Sequence, residues 1–398
     1  MQISQRAQSV KPSPTLTITA KAKALRAAGE DVIGFGAGEP DFDTPEHIKQ
    51  AAIQALEGGD TKYAPVGGTA DLKKAIVAKL QRDNGLTYSP DEVIVSSGAK
   101  HSLYNLFQAV LNPGDEIIIP TPYWVSYPDM ALLAGATPVY VEGREENGFK
   151  LQPDELAKVI TPRSKLIVIN SPSNPTGSAY TVEEMKAIAE VIRPHKDLAV
   201  VSDEIYEKLL YDDFPFTSIA NVDDEMKQRT YVVNGMSKAY SMTGWRLGYL
   251  AGPREVVAAM AKIQGQSTSN ATSFAQAGGV EALNGSQDDV EKMRVEFSKR
   301  RDYMVERLNA IPGITCRNPE GAFYVFPNVS ALFGKSDGKR TLTDADAVAE
   351  YLLETYKVAV VPGGGFGAPN CMRLSYATGM DNIRNGLDRI EEAVKALQ

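Results

Sequence analysis

Four stretches of the chain carry side chains whose types and positions could do chemistry. Lys238, in SKAYSMTGWR, lies just beyond a β-branched run, and Arg246 opens the next run eight residues later. Asp203 and Glu204 close the apolar run LAVVSD, so at least one carboxylate is expected in a partly desolvated place that needs a cationic partner. A carboxylate that merely caps the following turn reads equally well from that segment alone. LIVIN leads into SPSNPTG (171–177), where two prolines and a glycine fix the path and Asn174 projects amide donors and an acceptor. SSGAK (96–100) runs into HSLYNLFQAV and presents backbone N–H groups and a positive dipole end suited to a phosphate. Taken singly, each has a plain alternative: a lysine on the solvated surface, a rigid turn, a helix cap.

These residues share a place if the chain forms the elements its pattern predicts. From Asp91 to about Gly252, short β-branched runs alternate with longer helical stretches, the rhythm of a mainly parallel sheet with helices on its faces. The runs begin at Glu92, Glu116, Thr137, Leu166, Leu198, Thr230 and Arg246, which predicts a seven-stranded α/β sheet. Ligands bind where loops leave the carboxyl edge of such a sheet, and the four stretches all follow or precede strands. Between two of the runs, Thr181 and Glu184 form a capping box, with Val182, Met185, Ile188, Ala189 and Ile192 on one helical face. After Ala310 the pattern changes to extended runs at ITCR, AFYVFP, VAVVPG and MRLSYA, a helix after Thr343 and a closing helix striped by Ile383, Leu387, Ile390, Val394 and Leu397. A large domain over 46–309 and a small α+β domain over 310–398 are expected, with residues 1–45 as an arm that joins the smaller unit.

The 398 residues carry 42 basic and 50 acidic side chains, so no general attraction to nucleic acid or anionic lipid is expected. Cys316 and Cys371 cannot make a disulfide framework and lack the paired spacing of a zinc site, and His47, His101 and His195 stand far apart without HExxH. No metal is expected. The amino terminus has no apolar leader segment, and no apolar run approaches the ~18 residues of a membrane span, so a cytoplasmic location is the expectation.

Only together do the four stretches become specific. A buried amine can form an imine with an aldehyde cofactor, a strand-end carboxylate can hold a pyridinium nitrogen protonated, and a helix terminus with an arginine can hold a phosphate. Those are the requirements of pyridoxal 5′-phosphate. Neither Walker A nor GxGxxG is present, which argues against a nucleotide site and a nicotinamide dehydrogenase.

GAGEPDFDTP (36–45), KYAPVGG, SSGAK, PYWVSYP, SPSNPTG, SDEIYE, SKAYSMTGWRLGY and RLSYA follow one another in a familiar order. Over essentially its whole length the chain resembles the fold-type I, class I aminotransferases, close to the bacterial aspartate aminotransferases of subgroup Ib. The resemblance implies pyridoxal phosphate as cofactor and amino acids and 2-oxo acids as substrates. It makes Lys238 the Schiff-base lysine and proton shuttle, and Asp203 the partner of the pyridine nitrogen. Asn174 and Tyr206 hydrogen-bond the phenolic oxygen, keeping the imine pKa low, and Trp124 stacks on the ring. Ser96, Ser97, Gly98, Ala99, Lys100, Ser237 and Arg246 surround the phosphate, joined by Tyr63 from the second subunit of a homodimer. Arg373 binds the substrate α-carboxylate in a bidentate fork, with Gly38 beside it.

Within that subgroup Lys100 matches the lysine that receives a distal carboxylate, and Lys11, in SVKPSPT, matches one linked to acceptance of prephenate. The resemblance therefore implies transfer from L-aspartate to 2-oxoglutarate, with prephenate as a further substrate. The rivals are a transaminase of broader or aromatic specificity, a pyridoxal phosphate-dependent lyase, and a non-catalytic ligand sensor, which lacks support from any added DNA-binding domain.

Overall fold

Parallel strands buried on both faces read as near-continuous apolar runs, and helical crossovers must connect them. The computed structural model, which describes residues 2–10, 12 and 14–398, has all seven in one sheet. They are Val93–Ser96 (β1), Glu116–Thr121 (β2), Thr137–Glu142 (β3), Ser164–Asn170 (β4), Ala199–Asp203 (β5), Thr230–Gly235 (β6) and Gly248–Ala251 (β7). Their spatial order is β1-β7-β6-β5-β4-β2-β3, and β7 alone runs antiparallel to its neighbours. Because β7 is reversed, its first residues lie at the edge where β1, β4, β5 and β6 end. The loops after Ser96, Asn170, Asp203 and Gly235 therefore meet Arg246, just ahead of β7.

The two-residue period of each strand divides the core. Ile117, Ile119, Leu166 and Val168 pack with Leu103, Leu106 and Phe107 of the helix Ala99–Val110. Ile118, Ile167 and Ile169 face the other way, onto Met185 and Ile188 of the helix Val182–Ile192. The capping box of that helix is present: the Glu184 N–H donates to the Thr181 hydroxyl at 3.2 Å and the Thr181 N–H to the Glu184 carboxylate at 2.8 Å. Val182, expected on the buried face, is exposed at the first position of the helix, directly after the cap.

A second core gathers the carboxyl-terminal residues. Tyr324–Val325, Met372–Ser375 and Val361–Pro362 form a three-stranded antiparallel sheet. The closing helix Met380–Lys395 buries Ile383, Leu387 and Ile390 completely, each worth about 1.5–3 kcal/mol by transfer from water. Phe297, Met304 and Leu308 of the long helix Asp288–Ala310 share that core. The expected run ITCR makes only an isolated bridge, Thr315 to Asn328. Ile33–Gly34 pairs in parallel with Val358–Ala359, and Phe35 lies so close to Gly386 that a Cβ there would come within 2.4 Å of its ring. This anchorage delivers the next residues, Gly36–Glu39, across the edge of the large sheet.

Candidate active site

At that edge a cavity of about 460 Å³ opens between the two cores. β5 brings Asp203 into it, 4% exposed at the end of an otherwise apolar strand. Burial pushes its carboxyl up to about 6, although the Tyr127 hydroxyl donates to Oδ2 at 2.6 Å and favours the charged form. β6 and its turn bring Ser237 and Lys238. Burial, with the Arg373 guanidinium next in importance, lowers the Lys238 amine to about 8, and its Nζ donates to the Gly38 carbonyl. A lysine so depressed is neutral in about a tenth of molecules at pH 7, far more than an ordinary lysine.

The loop after β4 brings Asn174, and the strand Met372–Ser375 brings Arg373, from the other core. Arg373 is 2% exposed; Nη1 donates to Asn174 Oδ1 at 2.9 Å and Nη2 to the Gly36 carbonyl at 2.9 Å. Its Nε is enclosed by protein and has no partner among the described residues. Each Nη nitrogen carries a second hydrogen that no protein acceptor takes among the described residues, so the guanidinium, which lines the cavity, can still receive an acceptor there. Asn174 spends its carbonyl on Arg373 and keeps its amide N–H groups for the cavity.

The turn after β1 makes the third wall. Gly98 has φ +89°, and a Cβ on it would lie 2.5 Å from the Arg246 guanidinium, so both backbone and space require glycine. Arg246 itself sits at φ 53°, a sparsely populated conformation that costs on the order of 1–3 kcal/mol and concentrates at functional sites. Ala99 and Lys100 begin the helix here, and the Lys100 Nζ stands 4.9 Å from the centroid of the Trp124 ring. Burial and then Arg246 lower the Lys100 amine.

The sequence-derived residues Gly38, Ala99, Lys100, Trp124, Asn174, Asp203, Tyr206, Ser237, Lys238, Arg246 and Arg373 thus line one cavity. Ser97 adjoins it through backbone, its carbonyl accepting from Arg246 Nη2 at 3.5 Å and its N–H donating to His101 Nδ1 at 3.3 Å. Ser96 does not reach it: its hydroxyl donates to Gln264 Oε1 at 2.7 Å inside the protein. Tyr63 is 92% exposed and outside its own chain's cavity, and Lys11 lies outside the described residues. Sequence reasoning misses Tyr127 and Tyr324. Tyr127 stands in PYWVSYP, three residues after Trp124, whereas Tyr324 lies in an aromatic strand with nothing to distinguish it from core.

A family model described as aminotransferase class I and II matches residues 30–390. The chain belongs to that family. It is 53% identical over 396 residues to an aspartate aminotransferase of Geobacillus stearothermophilus, covering all of both chains. It is equally 53% identical over 383 residues to an aspartate/prephenate aminotransferase of Cereibacter sphaeroides, 96% of each. Among solved structures, the aspartate aminotransferase from Rhizobium meliloti superposes with a TM-score of 0.97 at 46% identity over all of both chains. That from Thermus thermophilus with maleate gives 0.93 at 45%, over 99% of this chain and all of the other. The fold is accordingly that of the fold-type I transferases, and the enzymes of this family depend on pyridoxal 5′-phosphate. The aminotransferase cavity fits that group. A depressed lysine suits its aldehyde, a buried carboxylate its ring nitrogen, and the Gly98 turn with Arg246 its phosphate.

Proposed function

We propose that this aminotransferase moves the amino group of L-aspartate to 2-oxoglutarate, giving oxaloacetate and L-glutamate. The observation that carries the reading is one cavity that holds, besides Lys238 and Arg246, which are assigned to the cofactor, two further cations: Arg373 from the small sheet and Lys100 from the helix after β1. That is a receptor for two carboxylates. The relatives named aspartate aminotransferase support it, and those named aspartate/prephenate aminotransferase favour prephenate as a second, bulkier keto acid.

When bound, pyridoxal 5′-phosphate supplies an aldehyde that condenses with amines and a ring that withdraws electrons from the substrate Cα. Lys238 would hold that aldehyde carbon and would then be placed to move a proton at the substrate Cα. Asp203 would pair with the ring nitrogen, and such a partner would offset the upward shift that burial imposes on its carboxyl. Asn174 Nδ2 and the Tyr206 hydroxyl would donate to the ring oxygen, and Trp124 would pack against the ring. The Gly98–Ala99 backbone, Ser237 and Arg246 would hold the phosphate. Arg373 takes the α-carboxylate beside Gly38, and Lys100 the distal one.

The proposal includes a cytoplasmic homodimer with shared sites. Tyr63 is turned to solvent, and Ile53 and Leu56 of the preceding helix Glu46–Glu57 are exposed beside it in sequence, as a face that a second copy would cover. It also includes a large domain over 46–309 and a small one over 310–398, the latter joined by the first 45 residues and packed against by the helix Asp288–Ala310, which contributes Phe297, Met304 and Leu308 to the small core. Pairing of Ile33–Gly34 with Val358–Ala359 supports that attachment. The test is spectroscopic: visible absorbance of the cofactor-loaded protein should change with aspartate and return with 2-oxoglutarate. A response to aromatic or neutral amino acids without one to aspartate would overturn the substrate assignment.

A further inference from the structure

We propose that Tyr324 is a positioning residue that sets how strongly Tyr206 donates to the cofactor's ring oxygen, and that Arg373 tunes it from the face of the Tyr324 ring. The inference rests on the cofactor reading above. The Tyr206 and Tyr324 hydroxyls are 2.9 Å apart, and the rings meet edge-on, 5.8 Å between centroids at 80°. Both side chains are buried, and among the described residues Tyr206 is the one hydrogen-bond partner of the Tyr324 hydroxyl. Gly38 leaves the room this hydroxyl occupies, since a Cβ there would stand 3.3 Å from it.

A phenol has one proton and two lone pairs. Either hydroxyl can donate to the other. Once an oxygen acceptor stands before Tyr206, the Tyr206 proton turns to it, and the Tyr206 oxygen accepts from Tyr324. The chain then runs Tyr324 to Tyr206 to the ring oxygen, and each donor polarises the next. No proton changes owner. The Arg373 carbon Cζ lies 4.5 Å from the centroid of the Tyr324 ring, where a cation draws electron density from the phenol and makes it a better donor. A carboxylate paired with Arg373 screens that charge and weakens the chain. Arrival of substrate at Arg373 is thereby felt at the ring oxygen through Tyr324, independently of the direct Arg373–Asn174 bond.

Donation to the ring oxygen stabilises its anionic form, so the bound cofactor releases its proton at lower pH. The measurement is the pH midpoint of the visible absorbance of the loaded enzyme, with thermal unfolding as a check on folding. Tyr324→Phe should raise the midpoint by about half to one pH unit. Tyr206→Phe should raise it further, and adding Tyr324→Phe to Tyr206→Phe should change nothing more. Replacing Tyr324 by 3-fluorotyrosine, a more acidic phenol of nearly the same size, should lower the midpoint. An unshifted midpoint in Tyr324→Phe, or the same shift with and without Tyr206, overturns the proposal. Should Tyr324→Phe not fold, the 3-fluorotyrosine protein decides, and an unchanged or raised midpoint there overturns it. Those results leave the cofactor reading standing. Absence of any visible band in the unaltered, reconstituted protein overturns that reading and this inference together.

Discussion

Arg373 and Asn174 stand 199 residues apart in the chain, and Arg373 Nη1 donates to Asn174 Oδ1 at 2.9 Å. The bond ties the small sheet to the loop after β4 and orients both side chains at once. One hydrogen of each Nη is spent on a protein acceptor, Asn174 and the Gly36 carbonyl, and the second hydrogen of each is left for a ligand. Arg373→Lys keeps a positive charge but removes the planar fork that serves all three directions. Specificity constants for aspartate and 2-oxoglutarate should both fall by roughly 100-fold, mostly through KM. Steady-state kinetics with each substrate varied in turn checks this, and a loss confined to one substrate would show that Arg373 does not grip the carboxylate they share.

Lys238 is held by the Gly38 carbonyl and lies in the cavity with a lowered amine pKa. Lys238→Ala should fold with little change in thermal midpoint, because no buried ion pair is broken, yet lose about 10²–10⁴-fold in turnover from proton transfer alone. Borohydride reduction of the loaded wild-type enzyme, followed by peptide mapping, should place the pyridoxyl label on the peptide that contains Lys238. A label on another lysine would remove the assignment.

Six of the seven strands are legible in the sequence as β-branched runs bounded by turn residues, the seventh, GYLA, as a short aromatic and apolar run between Arg246 and Pro253, and their ends show where Asp203, Asn174 and Lys238 meet. What local pattern cannot show is pairing at long range. Lys238 finds the Gly38 carbonyl across 200 residues, and no period of the sequence encodes that. Tyr127 and Tyr324 read as ordinary core aromatics, which by burial they are. What distinguishes them is where the hydroxyl of each points, Tyr127 to Asp203 and Tyr324 to Tyr206, and that depends on the tertiary packing. ITCR departs from its expected strand for a related reason: its apolar residues fill the small core as irregular chain, with one bridge at Thr315.

Gly98→Ala places a methyl group where the Arg246 guanidinium lies and strains a backbone at φ +89°. The fold should survive, since the turn is at the cavity wall. Affinity for pyridoxal 5′-phosphate should fall by roughly 10-fold or more, the scale of a displaced charge-assisted contact. Titration of the apoprotein by tryptophan fluorescence measures it. Unaltered affinity would mean the turn does not touch the phosphate.

Next to the site, Glu204 is 1% exposed; Ser202 donates to its Oε1 at 2.7 Å, and the Ser218 hydroxyl also favours its charged form. Lys79, which faces this cluster, is already paired with Glu207. Burial first, and then the Glu207 charge, push the Glu204 carboxyl up to about 7. Its folded pKa thus exceeds its unfolded value near 4.5, so its contribution to stability is fully present below about 4.5 and is lost as pH rises through about 7. Glu204→Gln should be more stable than wild type at pH 8, by on the order of 2–3 kcal/mol at most, and nearly equal at pH 4. Denaturant unfolding of the apoprotein at the two pH values checks the sign. A larger advantage at low pH would contradict it.

In the proposed reading, substrate choice turns on Lys100, the cation at the first turn of the helix Ala99–Val110. Its amine rests over Trp124 at 4.9 Å from the ring centroid, with no carboxylate of the protein bonded to it among the described residues. Partial burial lowers its pKa, so an anion in the cavity that paired with it would recover part of that cost. Lysine acts there as a point charge rather than a planar fork, which loosens the distal grip and leaves room for a bulkier acid such as prephenate. Lys100→Leu keeps the aliphatic cover of Trp124 and deletes the charge. It should lower kcat/KM for aspartate by about 10- to 1000-fold, the range for a partly buried charge contact, while a neutral donor such as alanine is hardly affected. The comparison of the two donors in one variant is the measurement. Equal losses for both would place Lys100 with the phosphate or the helix start, and the preference for dicarboxylates would then have to come from another cation.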